Sequence, residues 1–470
     1  MPKLSIRTSL YTATALTSAL FATPALADCV SQAPVNPTQV VCDNPGTAGW
    51  NGSATNGIVV TVAAGSNTTT NVGGPAVIST GTGSAVINFS GLFNPPAAPV
   101  YGIDAGSTTS AAISVGGGST VTNSSGSAAR GTVTFGNATG SATNVLNNNY
   151  SHTGATNFIG LINGVVTGAG NLTVNNSGVI GLNGAGGITQ TGAGTVIINN
   201  GIDGGYASGY VIGGVTLQNG EIWGSINTQG STSLINHGGG NAPGGLINGS
   251  VTLGTLGTGT SSLTNGSQAF GNALIYGIVT MADRNNTVTN DGTIAFNVTM
   301  NGTGSNTYNA GSTGSSGDNG LRLPGSAIDG TGTPTGVVNG TLTGLAANSA
   351  NNTLNLNGIG SSTLQAGSSI LNFGVVNKND SGSFLLGNTL DGAAGKLTNV
   401  NVTGGTLATN NAAFLGSAAT TVKLSNATTL NFNGAAAGTC AGNITDATGA
   451  TTGKVTVTGA NATTLSGTNT

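Results

Sequence analysis

Few residues in this chain carry chemistry: 2 histidines, 3 cysteines, 9 Lys plus Arg and 12 Asp plus Glu among 470 residues. The most suggestive run is Asn379-Asp380-Ser381-Gly382-Ser383, which sets a carboxylate beside two hydroxyls. A serine nucleophile needs a histidine base held by an acid. This run would have to recruit His152 or His237 with an acid such as Asp283. Both histidines stand in Gly- and Asn-rich runs, Tyr150-Ser151-His152-Thr153-Gly154 and Asn236-His237-Gly238-Gly239, not in the apolar strands that would hold a catalytic imidazole. Residues 379–383 therefore read as a solvated turn.

Polysaccharide cleavage calls for paired acids, or an acid with Arg or Lys, on one face. The candidates are Asp203, Glu221, Asp283 with Arg284, Asp291, Arg322 and Asp329. Glu221, the only glutamate, precedes Ile222-Trp223 and lies close in sequence to Tyr206. Two readings stay open there: a sugar-binding platform of Tyr206, Glu221 and Trp223, or a tryptophan capping the core beside a solvated glutamate. Asp283-Arg284 beside Asp291 reads as a surface pair. Aspartates are too sparse for a calcium-binding nonapeptide series, and the histidines and cysteines lack zinc-ligand spacing. Gly-rich runs such as Gly116-Gly117-Gly118 lead into neither a helix nor Lys-Ser/Thr, so phosphate binding is unsupported. No basic patch exists, which argues against nucleic acid. The expectation is a non-enzymatic protein without cofactor or metal.

The cysteines are Cys29, Cys42 and Cys440. Residues 1–27 read as a secretory signal peptide: Lys3 and Arg7 head it, Tyr11 to Phe21 is its apolar stretch, and Ala25-Leu26-Ala27 is its cleavage site. In an exported chain Cys29 and Cys42 are expected to pair, closing a loop that contains Pro34 and Pro37. Such a bridge is worth roughly 3 kcal/mol. Cys440 has no obvious partner; it is a small buried residue in a turn, or a reactive or intermolecular thiol.

The elements that must position these groups are short. Charged residues are 4% of the chain and hydrophobic ones 37%, with 83 glycines and few aromatics. Charge this low beside that hydrophobic share is not the pattern of disorder. It suits a narrow core of Val, Ile, Leu and Ala. After a Pro- and Asn-containing lead-in (28–56) anchored by Trp50, β-rich runs of three to five residues alternate with Gly/Asn/Ser/Thr corners. Examples are Ile58-Val59-Val60-Thr61-Val62 and Lys454-Val455-Thr456-Val457. Outside the leader no long helix is expected. Leu161-Ile162-Asn163-Gly164-Val165-Val166-Thr167 is repeated loosely at 211–217, 246–252, 275–280 and 337–343. A second box, Asn171-Leu172-Thr173-Val174-Asn175, is echoed at 262–265, 286–290 and 352–355. Strand, glycine corner, strand, polar corner, strand is one coil of a parallel β-helix, with irregular spacing from variable corners. At roughly 20 residues a coil, on the order of 20 coils would make a rod of about 100 Å. Pro95–Pro99 and Asn301–Asp318 read as loops leaving it. A flat threonine face for ice or a crystalline surface would need Thr-x-Thr in register on many coils, and triplets such as Thr456-Val457-Thr458 recur too irregularly.

Ile188-Thr189-Gln190-Thr191-Gly192-Ala193-Gly194-Thr195-Val196-Ile197-Ile198 resembles the passenger-associated repeat of bacterial autotransporters (type V secretion), with Gln190 where the repeat carries Lys. Lys396–Leu407 is similar in style, and 379–383 is similar to the nucleophile loop of the family's serine-protease members, with Asn379 at the leading glycine. The resemblance implies an all-β, right-handed parallel β-helix passenger over 57–470. It would be displayed on, or released from, a Gram-negative outer membrane after transit through the periplasm. Residues 380–470 lack the ten-residue, aromatic-girdled strands of the family's membrane barrel, so a passenger without a C-terminal barrel is expected. The implied partners are an outer-membrane barrel or export machinery, and a host surface, neighbouring cell or extracellular glycan contacted by a stalk or adhesin.

Overall fold

The structure is a computed structural model. It describes residues 30–32, 36–42, 50–51, 57–62, 76–79, 83–89, 103–153, 156–182, 184, 186–201, 211–212, 215–216, 220–238, 244–267, 273–312, 326–328, 334–337, 340–364, 369–388, 390, 396–434, 436–450 and 452–470. The leader (1–27), Cys29, Pro95–Pro99, Asp203, Tyr206, Arg322 and Asp329 lie outside the described residues, as does the Cys42 side chain.

The chain winds as a right-handed parallel β-helix. Alternation inside each short strand points one set of side chains inward, and stacking of successive coils puts those residues in columns. On the longest sheet one column runs in register from Val40 and Val60 through Leu146, Leu234 and Leu354 to Val422 and Ile444, all buried. Each such side chain contributes roughly 1.5–3 kcal/mol by leaving water. No coil could keep its column dry alone, since its neighbours supply the cover.

Two further sheets complete the cross-section. A narrow one includes Ala128–Arg130, Leu161–Asn163, Val179–Ile180, Glu221–Ile222, Leu246–Ile247, Leu274–Ile275 and Thr293–Ile294. A third runs through Val165–Gly170, Gly187–Thr191, Ile226–Thr228, Val251–Leu253, Val279–Met281, Val298–Met300 and Thr341–Gly344. Beyond it, Ser361–Leu364, Ser383–Leu386, Thr406–Thr409, Thr429–Phe432 and Lys454–Val457 form a separate C-terminal sheet beside the long one. Helix among the described residues is limited to two 3-10 turns, Ala346–Asn351 and Ala412–Leu415.

The stretch at 187–201 folds as its pattern predicts, as strands Gly187–Thr191 and Thr195–Asn200 around a glycine corner. The repeats at 161, 246 and 275 each span narrow-sheet strand, corner and third-sheet strand. The copy at 211–217 does not: Val211–Ile212 and Val215–Thr216 pair antiparallel as a hairpin, and the coil position is taken by Glu221–Ile222. Asn301–Asp318 is also not simply a loop. Asn306–Ala310 is a rung of the long sheet, and Tyr308 is fully buried within the core column. The rod is shorter than expected. Among the described residues the long sheet has 17 strands, the first antiparallel, which gives about 70 Å at the strand spacing of ~4.8 Å. Coils vary from 20 to 46 residues between register partners, and the long ones spend their extra residues off the axis.

From Asn123 to Asn290, coils of 24 to 36 residues stay aligned through a buried amide ladder. Asn123, Asn148, Asn176, Asn200, Asn236, Asn265 and Asn290 close consecutive strands of the long sheet. Each Nδ2 donates to the next Oδ1 at 2.7–2.8 Å. The second proton of most of these amides reaches a narrow-sheet carbonyl, as Asn148 to Val179 O (3.1 Å) and Asn176 to Glu221 O (3.1 Å). At its far end Asn290 hydrogen-bonds the Tyr308 phenol, whose pKa burial pushes well up. An outward ladder, Asn401 to Asn377 to Asn355 to Asn309 at 2.7–2.8 Å, is half-buried and wetter.

Gln190 is a bracket at the opposite corner. Its Nε2 donates to Gly170 O (2.8 Å), Thr191 O and Gly192 O (both 3.0 Å). Its Oε1 accepts the Gln229 and Gly230 amides (both 3.0 Å).

Two outcomes follow. Asn200→Ala should lower folding stability by ~2–4 kcal/mol because it strands a donor and an acceptor in the dry core. Asn309→Ala on the wetter ladder should cost under ~1 kcal/mol, and denaturant midpoints of the two variants check the ranking. Gln190→Lys removes the side-chain acceptor of the buried Gly230 amide and one of the two acceptors of the Gln229 amide, since ammonium only donates. It should destabilise by ~1–3 kcal/mol, read as a lower thermal midpoint.

Candidate binding surfaces on the rod

The amide ladder defines a corner, and the chain leaves the rod there. The antiparallel hairpin Tyr150–Thr153/Thr156–Ile159 follows Asn148. The hairpin of 211–216 lies between Asn200 and Glu221. Residues 237–245 and 266–273 separate later ladder asparagines from the narrow sheet, and Ser326–Ile328/Pro334–Val337 forms another hairpin after Ala310. Up to Asn290, insertions are tolerated at this corner because their two ends are held by the ladder and by the narrow sheet.

Glu221 and Trp223 sit beside this corner. The structure brings them together: the indole Nε1 donates to Glu221 Oε2 at 2.6 Å. Glu221 is not the solvated carboxylate expected, being 1% exposed. It occupies an outward column of the narrow sheet with Ala128, Leu161 and Val179. Ala128, Leu161, Val179 and Leu182 form a second apolar cluster, against which Tyr150 and Trp223 pack. Trp223 thus covers apolar surface, and the buried carboxylate is bonded by this half-buried indole. Tyr206 lies outside the described residues, so of the three platform residues only Glu221 and Trp223 are placed.

Among the described residues, the remaining candidates lie on separate coils and corners. Asp380 has positive φ (46°), and its Oδ2 accepts the Gly358 amide at 2.9 Å. Ser383 Oγ faces Ser361 Oγ across one coil at 3.1 Å. Residues 379–383 are a corner between strands Val375–Lys378 and Ser383–Leu386. His237 lies at the ladder corner of another coil, its amide bonded to Asn200 O, and the His152 side chain is outside the described residues. Asp283 accepts the Gly259 amide (2.5 Å) and the Ser261 hydroxyl (3.0 Å), so it is a buried bracket and not half of a surface pair. Asp291 is also buried and accepts from Ser312, from its amide at 2.7 Å and from its hydroxyl. Among the described residues no group of three His, Cys, Asp or Glu could hold a metal ion, and no helix is long and apolar enough to cross a membrane. Cys440 is free and buried, and burial pushes its thiol pKa up. That keeps it protonated and a poor nucleophile.

Sequence reasoning missed Lys378. It takes an inward position, in register with Leu356 and Val402, and is 2% exposed. Its ammonium donates to the carbonyls of Asn379, Asp380 (2.9 Å) and Gly404 (3.4 Å). Burial lowers its pKa from 10.5 to about 8, against the opposing pull of Asp380. The alternation Val376-Asn377-Lys378 could have placed it inward, had a lysine been admitted to a core column.

Two surface features also needed register to be seen. On the outer face of the third sheet Ser114, Thr134, Thr167, Thr189, Asn227, Thr252, Thr280, Thr299 and Thr343 stack in one column. At that sheet's edge, on adjacent coils, Tyr276 is 49% and Phe296 36% exposed. Their rings meet edge to face, centroids 5.4 Å apart and planes at 81°. Between Tyr276 and the exposed Ile278 sits Gly277, where a Cβ would lie 2.0 Å from Gly249 O. Only glycine lets the coils close at this corner.

Fold and surface define a parallel β-helix whose hairpins leave from one corner. Searches against protein-family models, curated proteins and solved structures gave no match for the chain.

Lys378 gives a pH signature. Its folded pKa lies below its unfolded value, so the penalty for burying the ammonium is present in full below about pH 8 and is relieved as pH rises toward 10.5. The thermal midpoint of the wild type should therefore gain on that of Lys378→Met across this window. A gap that stays constant would show that Lys378 does not titrate this way.

Proposed function

We propose that this chain is an exported, non-enzymatic β-helix passenger of the autotransporter type, acting as a stalk and adhesin at a cell surface. The observation that carries the reading is the clustering of hairpins and long connections at a single corner of an otherwise regular rod. A scaffold that holds many exposed segments along one edge suits contact with an extended surface, where weak interactions at several coils multiply. The scarcity of charge favours contacts made through amide, hydroxyl and aromatic groups. The leader-like residues 1–27 and the passenger-type repeat at 188–198 agree with export and display.

Display of residues 28–470 on a bacterium through an unrelated outer-membrane anchor provides the test. Cells carrying the rod should attach to epithelial cells or to one another more than cells with the anchor alone. Replacing 151–158 and 203–218 by short Gly-Ser links should cut that attachment several-fold with the rod still folded. Attachment equal to the bare anchor, or unaffected by both replacements, would overturn the reading.

A further inference from the structure

We propose that the outer face of the third sheet, with the Tyr276–Phe296 pair at its edge, binds a neutral polysaccharide chain laid along the rod; the inference rests on the surface-contact reading above and names its ligand.

Tyr276 and Phe296 are the exposed aromatic rings among the described residues. Elsewhere the outward positions of the rod are dominated by threonine, asparagine and serine. Two rings at right angles form a notch. The axial C–H face of a pyranose can pack on one ring while its edge meets the other. Beside the notch Thr252, Thr280 and Thr299 stand in register on three consecutive coils, each half-buried. Their hydroxyls recur at the coil rise of ~4.8 Å, close to the length of one sugar unit. Each can donate and accept, as the sugar hydroxyls facing them can. An extended polymer would thus meet a repeating set of partners with a period near its own.

The chemistry of the rim selects the occupant. Asn248 stands level with Tyr276 on the preceding coil and Asn297 follows Phe296 in the chain, and neither is ionisable. A uronic-acid or sulfated polymer would find no cation there. Tyr276, Ile278 and Phe296 together offer far less than the roughly 800 Å² per partner of a stable protein interface, so a folded protein partner is disfavoured. A straight hydroxyl column favours a ribbon-like β-1,4-linked chain over a coiled α-linked one.

Affinity electrophoresis of purified residues 28–470 tests this directly. The wild type should be retarded by hydroxyethylcellulose and compete with cellohexaose, and should run freely in polygalacturonate and soluble starch. The double variant Tyr276→Ala/Phe296→Ala should bind about tenfold more weakly. Ile359→Ala, which removes an exposed apolar side chain elsewhere on the rod, should bind as wild type. Circular dichroism and thermal midpoints establish that each variant is folded. Absence of retardation by the neutral β-linked polymer, equal retardation by polygalacturonate, or unchanged binding by the double variant overturns the proposal. Retardation by hydroxyethylcellulose without attachment of displayed cells would sink the adhesin reading alone; attachment without retardation would sink this one alone.

Discussion

A buried amide that finds no partner costs on the order of 1–3 kcal/mol, and this rod buries seven of them in a row. Between the ends, from Asn148 to Asn265, each amide is bonded to the amide of the coil above and of the coil below, and to a backbone carbonyl at the narrow-sheet corner in most cases. The requirement is strict because one displaced coil would strand its own asparagine and those of its neighbours. Hydrophobic columns resist slippage less specifically, since a valine slipped onto the next valine stays dry. The ladder therefore fixes register where the apolar core only encourages it.

That constraint explains how a rod with few charges keeps coils of 24 residues beside coils of 36. Coil length is free to vary wherever both ends of an excursion are anchored, and the ladder anchors one end at the same corner each time. Loop closure becomes only slowly more costly with length, so hairpins at 150–159 and 211–216 are inexpensive additions to a fixed frame. Beyond Asn290 the same task passes to other groups. Tyr308 ends the ladder, Asn286, Asn306 and Asn352 form a shorter one at the opposite end of the strand, and Lys378 ties three carbonyls at a later corner.

The outer faces follow from what the core leaves over. With alternation fixed by the inward columns, every second residue faces water, and here those residues are threonine, asparagine and serine instead of the usual ions. The result is long, neutral, regularly spaced arrays. Among them the rings of Tyr276 and Phe296 depart from the pattern, and the corner glycine Gly277 lets the Tyr276 coil close on the preceding coil at Gly249.

The order of residues by itself determined the class of fold. Gly-punctuated runs of three to five β-formers, low charge and few aromatics admit little except stacked short strands, and the boxes at 171–175, 262–265, 286–290 and 352–355 are indeed rungs of one sheet. Local pattern could not say which copies stay on the rod. Residues 211–217 and 246–252 read alike, yet the first is a hairpin and the second a coil, because what decides is whether the neighbouring coil offers a vacant register. Nor could it tell a corner asparagine from a surface one, or a solvated Glu221 and Asp283 from buried brackets. Partners 24 to 36 residues away satisfy those amides, at separations that vary with each loop. Only tertiary stacking, which turns unequal spacings into one rise per coil, brings the ladder, the threonine column and the aromatic notch into being.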